Sequence, residues 1–398
     1  MLSPAPPDSK SVPQTPAILP ALIAMTALQM LTACAMFAPG VMAPRIGIDP
    51  VTLGLYATAP CVVGFLITFV GGMLATRYGS FRVATVCGIA VFAAMGVAAW
   101  SGASATLILA GVILGFAYGP ETPASSTMLF RITPPAKRPL VFSLRQTGNQ
   151  SGAIIGSLAL PYLAAADPRY GYLAIMGLAL LAIVAFERLR PTYDPLVRGA
   201  ASSIRLRDAL KVLVAQPEMR KLAIASVPFS ALQIALNTFL VTYAVGRLNL
   251  SLIAAGVLLA TAQAGGLTGR LLFGLVATRF LPAWSTVVAL GFAMSLSAAV
   301  MALASPSWSW PLLLGVAFAF GVTASGWNGV FLAEVARLAP EGRVGEATGA
   351  VLMFGFAGLV LGPLVMAGVA AVASLSVAYG LLGLSTLVGT LALMGRHR

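Results

Sequence analysis

Residues 187–221 read ERLRPTYDPLVRGAASSIRLRDALKVLVAQPEMRK and hold eight of the chain's 24 Lys/Arg together with four of its 11 acids. They form the only long polar segment in the interior of the sequence. On the N-terminal side lie six apolar runs, at about 17–42, 51–76, 81–100, 105–129, 141–165 and 172–186. Six more follow, near 222–245, 252–277, 283–303, 308–332, 347–372 and 375–394. Their lengths are close to the roughly 20 residues a helix needs to cross ~30 Å of hydrocarbon at 1.5 Å per residue. The polar stretch therefore divides two sets of six predicted spans. The expected organisation is a cytoplasmic tail at 1–16, a first bundle at 17–186, a linker at 187–221, a second bundle at 222–394 and a tail at 395–398. The Pro/Ser-rich start, MLSPAPPDSKSVPQTP, reads as disordered. It is not read as a signal peptide, because the apolar run behind it is too long for an h-region.

Composition supports the same reading. Of 398 residues, 59% are hydrophobic and 9% charged, with a mean hydropathy of +0.94, whereas soluble domains carry about 25% charged residues. Too little polar surface exists to cover a water-soluble particle, and the apolar excess must face lipid. The runs are continuous and rich in Leu, Ala, Val and Gly, without the alternating polarity of a membrane barrel. The fold class expected is all-α and polytopic. The lone histidine, His397, sits near the C-terminal end, and Cys34, Cys61 and Cys87 lie in separate runs. That pattern suggests no metal site, disulfide framework or cofactor. No Gly-x-x-x-x-Gly-Lys-Ser/Thr pattern points to ATP.

A net charge of +13 would suggest nucleic acid in a soluble protein, but here it reports topology. With both termini cytoplasmic, Arg45, Arg169 and Arg247 are the outer cations, 19 Lys/Arg fall inside, and Arg145 and Arg270 lie within spans. This is a strong positive-inside bias. An internal repeat ties the halves together: Leu74–Tyr78 (LATRY) closes the second span and Val276–Phe280 (VATRF) the eighth, 202 residues apart. Two six-helix bundles with a site between them is the geometry of a rocking transporter.

The segment from Gly72 through Arg77 and Gly79 to Arg82 resembles the loop between spans two and three of the major facilitator superfamily. The resemblance covers residues 17–395. The sequence departs from the family pattern at Thr76 and Thr278, where the loop acid is expected, so Arg77 and Arg279 are read as helix-end caps or lipid-phosphate contacts. Lys137-Arg-Pro-Leu before the fifth span, and Gly269-Arg270 with Gly274 in the eighth, resemble the monocarboxylate and oxalate/formate branches. There the arginine of the eighth span meets a substrate carboxylate. The resemblance passes that role to Arg270.

Ionisable groups at membrane depth cost at least about 2–3 kcal/mol each and face a cavity or a partner. Arg270 lies ~12 Å inside its span and can hold a carboxylate through two parallel hydrogen bonds; pairing with helix carbonyls is the rival reading. Glu121, in Tyr118-Gly-Pro-Glu-Thr-Pro123, is the acid near mid-depth. It is read either as a proton carrier or as the fixed partner of Arg145. Pro120 and Pro123 free carbonyls beside it, which suits a cavity wall. Arg145 with Gln146 and Asn149 beside it, Gln233 and Asn237, Gln263, Trp327 and Asn328 complete a candidate substrate lining, with interhelical hydrogen bonding as the alternative for each amide and packing for the tryptophan. Gln233 and Asn237, four apart, share a helix face, as do Gln263 and Arg270, seven apart. Gly148, Gly152 and Gly156, like Gly355, Gly358 and Gly362, form small-residue packing stripes.

The function expected is secondary active transport of a small organic solute, a carboxylate or other organic anion, across a bacterial-type inner membrane. Glu121 would couple the movement to a proton. The alternative is an efflux pump exporting amphiphilic, drug-like compounds by proton antiport. The expected partners are the solute, a proton and the bilayer, with no nucleic acid and no obligate protein partner.

Overall fold

The computed structural model describes residues 17–100, 104–197, 211, 213–341 and 343–395. Both tail assignments at 1–16 and 396–398 lie outside the described residues. Twelve helices of 20 to 32 residues make up the described fold. The first six are α1 (Ile18–Ile46), α2 (Pro50–Tyr78), α3 (Ser80–Ala99), α4 (Ser104–Ile132), α5 (Arg138–Ala166) and α6 (Pro168–Val197). The second six are α7 (Pro217–Leu248), α8 (Leu252–Arg279), α9 (Ala283–Ala302), α10 (Trp310–Leu338), α11 (Val344–Val372) and α12 (Leu375–Met394). The side where α1 begins and α12 ends is called here the terminal face, and the opposite side the distal face.

Local chemistry sets the helix ends, and it repeats between halves. Gly47, at φ 77°, closes α1 in the left-handed region, and Asn249, at φ 55°, closes α7 in the same way. Both residue types tolerate that conformation. Two residues later Asp49 caps α2, accepting from the Val51 and Thr52 backbone N–H groups, while Ser251 caps α8 by accepting from Ala254. Each pair is 202 residues apart, the spacing of the LATRY/VATRF repeat.

Eleven of the helices are long and apolar enough to cross a membrane. The exception is α5, where Arg145, Gln146, Asn149 and Gln150 lie within two turns. Such a helix is tolerated at this depth because neighbouring helices surround its polar side. The other difference from expectation is at the linker. Helix α6 runs on to Val197, so the first part of 187–221 is helical and packed. Tyr193 donates from its hydroxyl to the Ala17 carbonyl at 2.6 Å and stacks near Phe81, with centroids 5.3 Å apart. Asp194 is buried and accepts from Phe81 N at 2.8 Å and Arg82 N at 3.1 Å. A carboxylate here satisfies orphan N–H groups at the start of α3 and meets the positive end of its dipole. Gly79, at φ 106°, makes the turn, and a Cβ there would lie 2.1 Å from the Asp194 carboxyl carbon.

The loop-motif residues thus have separate roles. Gly79 is a tight backbone position and Gly72 packs toward Pro123. Arg82 is exposed beyond its backbone contact with Asp194. Arg77 lies over the Tyr78 ring at 5.2 Å, and Arg279 is exposed in the last turn of α8. Thr76, where the family acid is missing, donates to the Gly72 and Met73 carbonyls of its own helix.

Asp194→Ala should lower stability by ~1–2 kcal/mol, the loss of an N-cap, read as a fall in melting temperature in detergent. Asp194→Asn should retain part of the loss. An unchanged melting temperature for Asp194→Ala would remove the cap from the account.

Candidate functional site

The two bundles meet tightly near the distal face. A Cβ added to Gly256 of α8 would lie 2.4 Å from the Ser157 carbonyl oxygen of α5, and one added to Gly54 of α2 would lie 2.7 Å from the Pro363 carbonyl oxygen of α11. Gly40 of α1 approaches the Thr238 carbonyl of α7 in the same manner, and Thr58 donates to the Val360 carbonyl at 3.2 Å. Toward the terminal face the same helix faces separate. Gly274 lies 18 residues beyond Gly256, five turns on the same side of α8 at ~3.6 residues per turn; its Cβ would meet nothing within 4 Å. Gly349 stands in the same relation to Ala367, which touches Gly54, and it too has open space. The bundles are closed distally and open toward the terminal face, with a cleft between them.

By helical register Arg270 falls on the side of α8 that meets the first bundle distally. It falls on the stripe of α8 that carries Gly256 and Gln263 at seven-residue steps, each step turning only about 20°. Its Nε is buried and has no hydrogen-bond partner among the described residues, and no carboxylate pairs with it there. A guanidinium cannot lose its charge at this depth, so an anion in the cleft is its natural complement.

Glu121 and Arg145 form a second charged unit, inside the first bundle. Arg145 Nη1 lies 3.4 Å from Glu121 Oε1 and donates to Ser125 Oγ at 3.1 Å. Ser125 in turn donates to the Glu121 carbonyl. Both side chains are buried, at 1% and 5% exposure, and Arg145 Nε has no partner among the described residues. The contact is single, not the two-pronged arrangement that makes arginine–carboxylate pairs rigid. Pro123 has no N–H to give the Gly119 carbonyl, and Thr68 Oγ1 of α2 donates to it instead, at 3.0 Å. The broken helix therefore keeps its backbone satisfied while placing Glu121 within reach of α5.

The amides were expected to line a solute site, and the structure pairs most of them. Gln263 Nε2 donates to Asn237 Oδ1 at 2.7 Å, joining α8 to α7. Asn328 Nδ2 donates to Gln233 Oε1 at 3.1 Å, joining α10 to α7. Gln146 Oε1 accepts from Gln29 Nε2 at 3.0 Å, joining α5 to α1. Asn149 is half-buried beside them. Trp327 is packed edge-on against Phe229 and Phe331, with centroids 5.5 and 5.0 Å away, which leaves its ring enclosed by protein and not presented for stacking. Two residues that the sequence did not single out join the group. Gln29 has a buried Oε1, and Gln150, fully buried, has both amide atoms without a partner among the described residues. Gln150 follows Gln146 by four residues on α5, and that spacing was the available signal.

Buried polar atoms in native proteins are nearly all hydrogen-bonded. Ten such side-chain atoms lack a protein partner among the described residues, and six of them belong to Gln29, Arg145, Gln150, Arg270 and Trp327. Polar atoms of this kind are what a polar solute or water would satisfy. Between α2 and α11 a separate cavity of about 460 Å³ is lined by apolar side chains including Phe65, Leu66, Phe356 and Leu361; it offers an anion no partner.

A family model described as Major Facilitator Superfamily matches residues 21–363. A Mycobacterium tuberculosis protein named "Probable nitrate/nitrite transporter NarK2" is 29% identical over 321 residues, 78% of this chain and 78% of that protein. A mutant of the nucleoside transporter NupG superposes with a TM-score of 0.80 at 16% identity, covering 94% of this chain and 99% of the other. A bacterial homolog of the human lysosomal transporter Spinster, in an inward-facing and unoccupied conformation, gives a TM-score of 0.70 at 17% identity, covering 94% of each chain. At such identities the superpositions show a shared fold.

The open and closed ends can be told apart chemically. In a background lacking Cys34, Cys61 and Cys87, a cysteine placed by Gly274→Cys should react with a membrane-impermeant maleimide from the terminal side at least about 10-fold faster than one placed by Ser157→Cys. Equal rates would contradict a seal confined to the distal half.

Proposed function

The chain belongs to the Major Facilitator Superfamily, and on that footing we propose that it is a secondary active transporter carrying a small organic anion by alternating access. It is a transporter and not an enzyme. The observation that carries the substrate class is Arg270, a permanently charged group on the cleft face of α8 with no carboxylate paired to it among the described residues. A carboxylate entering the cleft replaces water at the guanidinium with two parallel hydrogen bonds in a low-dielectric setting, where charge-assisted bonds are strongest. The mycobacterial relative, whose name specifies nitrate and nitrite, is consistent with an anionic solute. Export of an amphiphilic cation is the weaker reading, because Arg270 would repel it.

The terminal face is assigned to the cytoplasm of a bacterial-type inner membrane, since 13 of the 18 described Lys/Arg fall on that side and three, Arg45, Arg169 and Arg247, on the other, and cytoplasmic loops hold the excess of positive charge. In this state the cleft opens to the cytoplasm. Rocking the bundles would part the distal contacts around Gly54 and Gly256 and close the opposite end.

Coupling is assigned to Glu121. Its single 3.4 Å contact with Arg145 is separable: a proton arriving at the carboxyl neutralises it and releases the guanidinium to Ser125 and to its other neighbours. The charge of the pair would then differ between protonated and ionised states, which gives a proton gradient purchase on the cleft.

In proteoliposomes, Arg270→Ala should raise the apparent KM for a transported carboxylate about 10- to 100-fold, the loss of ~1.5–3 kcal/mol of charged hydrogen bonding. Arg270→Lys should recover part of it. An unchanged KM would end the anchor role. Glu121→Gln should still exchange solute while losing acceleration by an imposed pH gradient; acceleration equal to wild type would take Glu121 out of the coupling.

A further inference from the structure

We infer that the solute is a monoanion carrying an uncharged hydrogen-bonding group away from its carboxylate, and that Gln150 and Gln29 receive that group. The inference rests on the anion reading above and narrows it.

The charge balance around the cleft comes first. Among the described residues the charged groups at this depth are Glu121, Arg145 and Arg270. The first two are paired and sum to zero, which leaves one uncompensated positive charge. A monoanion at Arg270 brings the region to neutrality. A dianion would leave one negative charge without a partner in a low-dielectric space, where unpaired charge is most costly.

The second part is the supply of amide groups. Gln150 is fully buried, and among the described residues both its Nε2 and its Oε1 lack a partner, as does the Gln29 Oε1. Gln150 shares a stripe of α5 with Ser157, seven residues on, and Ser157 abuts Gly256 in the distal contact. Its side chain is thus the last polar group on that stripe before the bundles meet. Gln29 belongs to the same depth: Gly148 and Gly152 of α5 pack on Thr26 and Met30 of α1, which puts Gln29 level with about residue 151. Arg270 lies nearer the terminal face than the Gln150 level by between ~4 and ~10 Å, depending on whether depth is taken from the helix midpoints or from the Ser157–Gly256 register at 1.5 Å per residue. By this register the charge lies toward the mouth of the cleft, and unpartnered amide atoms, enclosed in this state at 0% and 5% exposure, lie toward its closed end. An amide presents both a donor and an acceptor, so a hydroxyl or carbonyl at the far end of the solute is a match. A plain alkyl end would leave these atoms unsatisfied, and sites with unpaired polar groups discriminate strongly against such analogues.

The test uses the full chain in detergent, with affinities read from ligand-induced rises in melting temperature. Matched pairs serve as probes: propionate and 3-hydroxypropionate, butyrate and 4-hydroxybutyrate, with succinate as the dianion. In wild type, at least one hydroxy acid should bind 10-fold or more tighter than its alkyl partner, and succinate should bind no better than butyrate. Gln150→Leu should reduce the hydroxyl preference to within about twofold, by weakening the hydroxy acids and tightening the alkyl ones, and should keep or raise the unliganded melting temperature, since it removes polar atoms that have no partner among the described residues. Equal binding within every pair, a preference for succinate, a preference that survives Gln150→Leu, or a fall in the unliganded melting temperature of that variant would each overturn the inference. If Arg270→Ala abolishes binding of the alkyl acids while the hydroxyl makes no difference in wild type, the anion reading stands and only this inference fails. If Arg270→Ala binds them like wild type, the anion reading itself has failed.

Discussion

A backbone amide or carbonyl at the centre of a bilayer has no water to bond with, so the chain must satisfy these groups from within. The twelve helices do so by their own ladders. Where a proline interrupts a ladder, a neighbour substitutes, as Thr68 does for the Gly119 carbonyl beside Pro123. Hydroxyls follow the same rule by turning back on their own helices: Thr32 donates to the Leu28 carbonyl, Ser157 to Ala153, Thr261 to Val257. Against this background of local satisfaction, the few side chains with no internal solution stand out. Arg270 and Gln150 are among them, and the proposed chemistry of transport is assigned there for that reason.

The same constraint explains what could be read from the sequence. Twelve apolar runs and one polar interruption follow directly from the need to match hydrocarbon, and the helices start and stop within six residues of those runs, save α6, which runs eleven residues further to Val197. The 202-residue repeat was visible as five residues, and it proved to extend to Gly47 and Asn249 and to the caps Asp49 and Ser251. Other features depended on contacts far apart in the chain. Asp194 looked like linker because it is charged, yet it serves the start of α3, more than a hundred residues earlier. That Gln263 would meet Asn237, or that Trp327 would be enclosed by Phe229 and Phe331, depends on helix rotation, which periodicity leaves undetermined where every face is apolar.

Gln150 illustrates the remaining gap. Beside Arg145, Gln146 and Asn149 it looked like one more polar residue on the least apolar helix, and only its surroundings distinguish it. Helix α5, the one of the twelve that is not apolar enough by composition to cross a membrane, spreads its polar side across three neighbours: α4 through Glu121, α1 through Gln29, and α8 through the stripe that includes Ser157. A helix with so many obligations cannot rotate freely, and it holds a fixed frame against which Arg270 can be placed.

The distal contact is built twice. Gly54 and Gly256 are 202 residues apart, and the carbonyls they press against, Pro363 and Ser157, lie at the same position in helices that begin 206 residues apart. One half-molecule therefore contributes a glycine at one junction and a carbonyl at the other. Contacts of this kind place Cα–H groups against oxygen and are individually weak, on the order of 0.5–1 kcal/mol. The side chains beside them are mostly small or short, Ala367 at one seam and Pro161 at the other, with the Thr58 hydroxyl bonded across to Val360. The surfaces slide apart smooth, and because the two junctions are related by the internal repeat, a tilt that loosens one loosens the other. The ancestral duplication that doubled the helix count would thus also have supplied a balanced hinge, one whose two seams yield together.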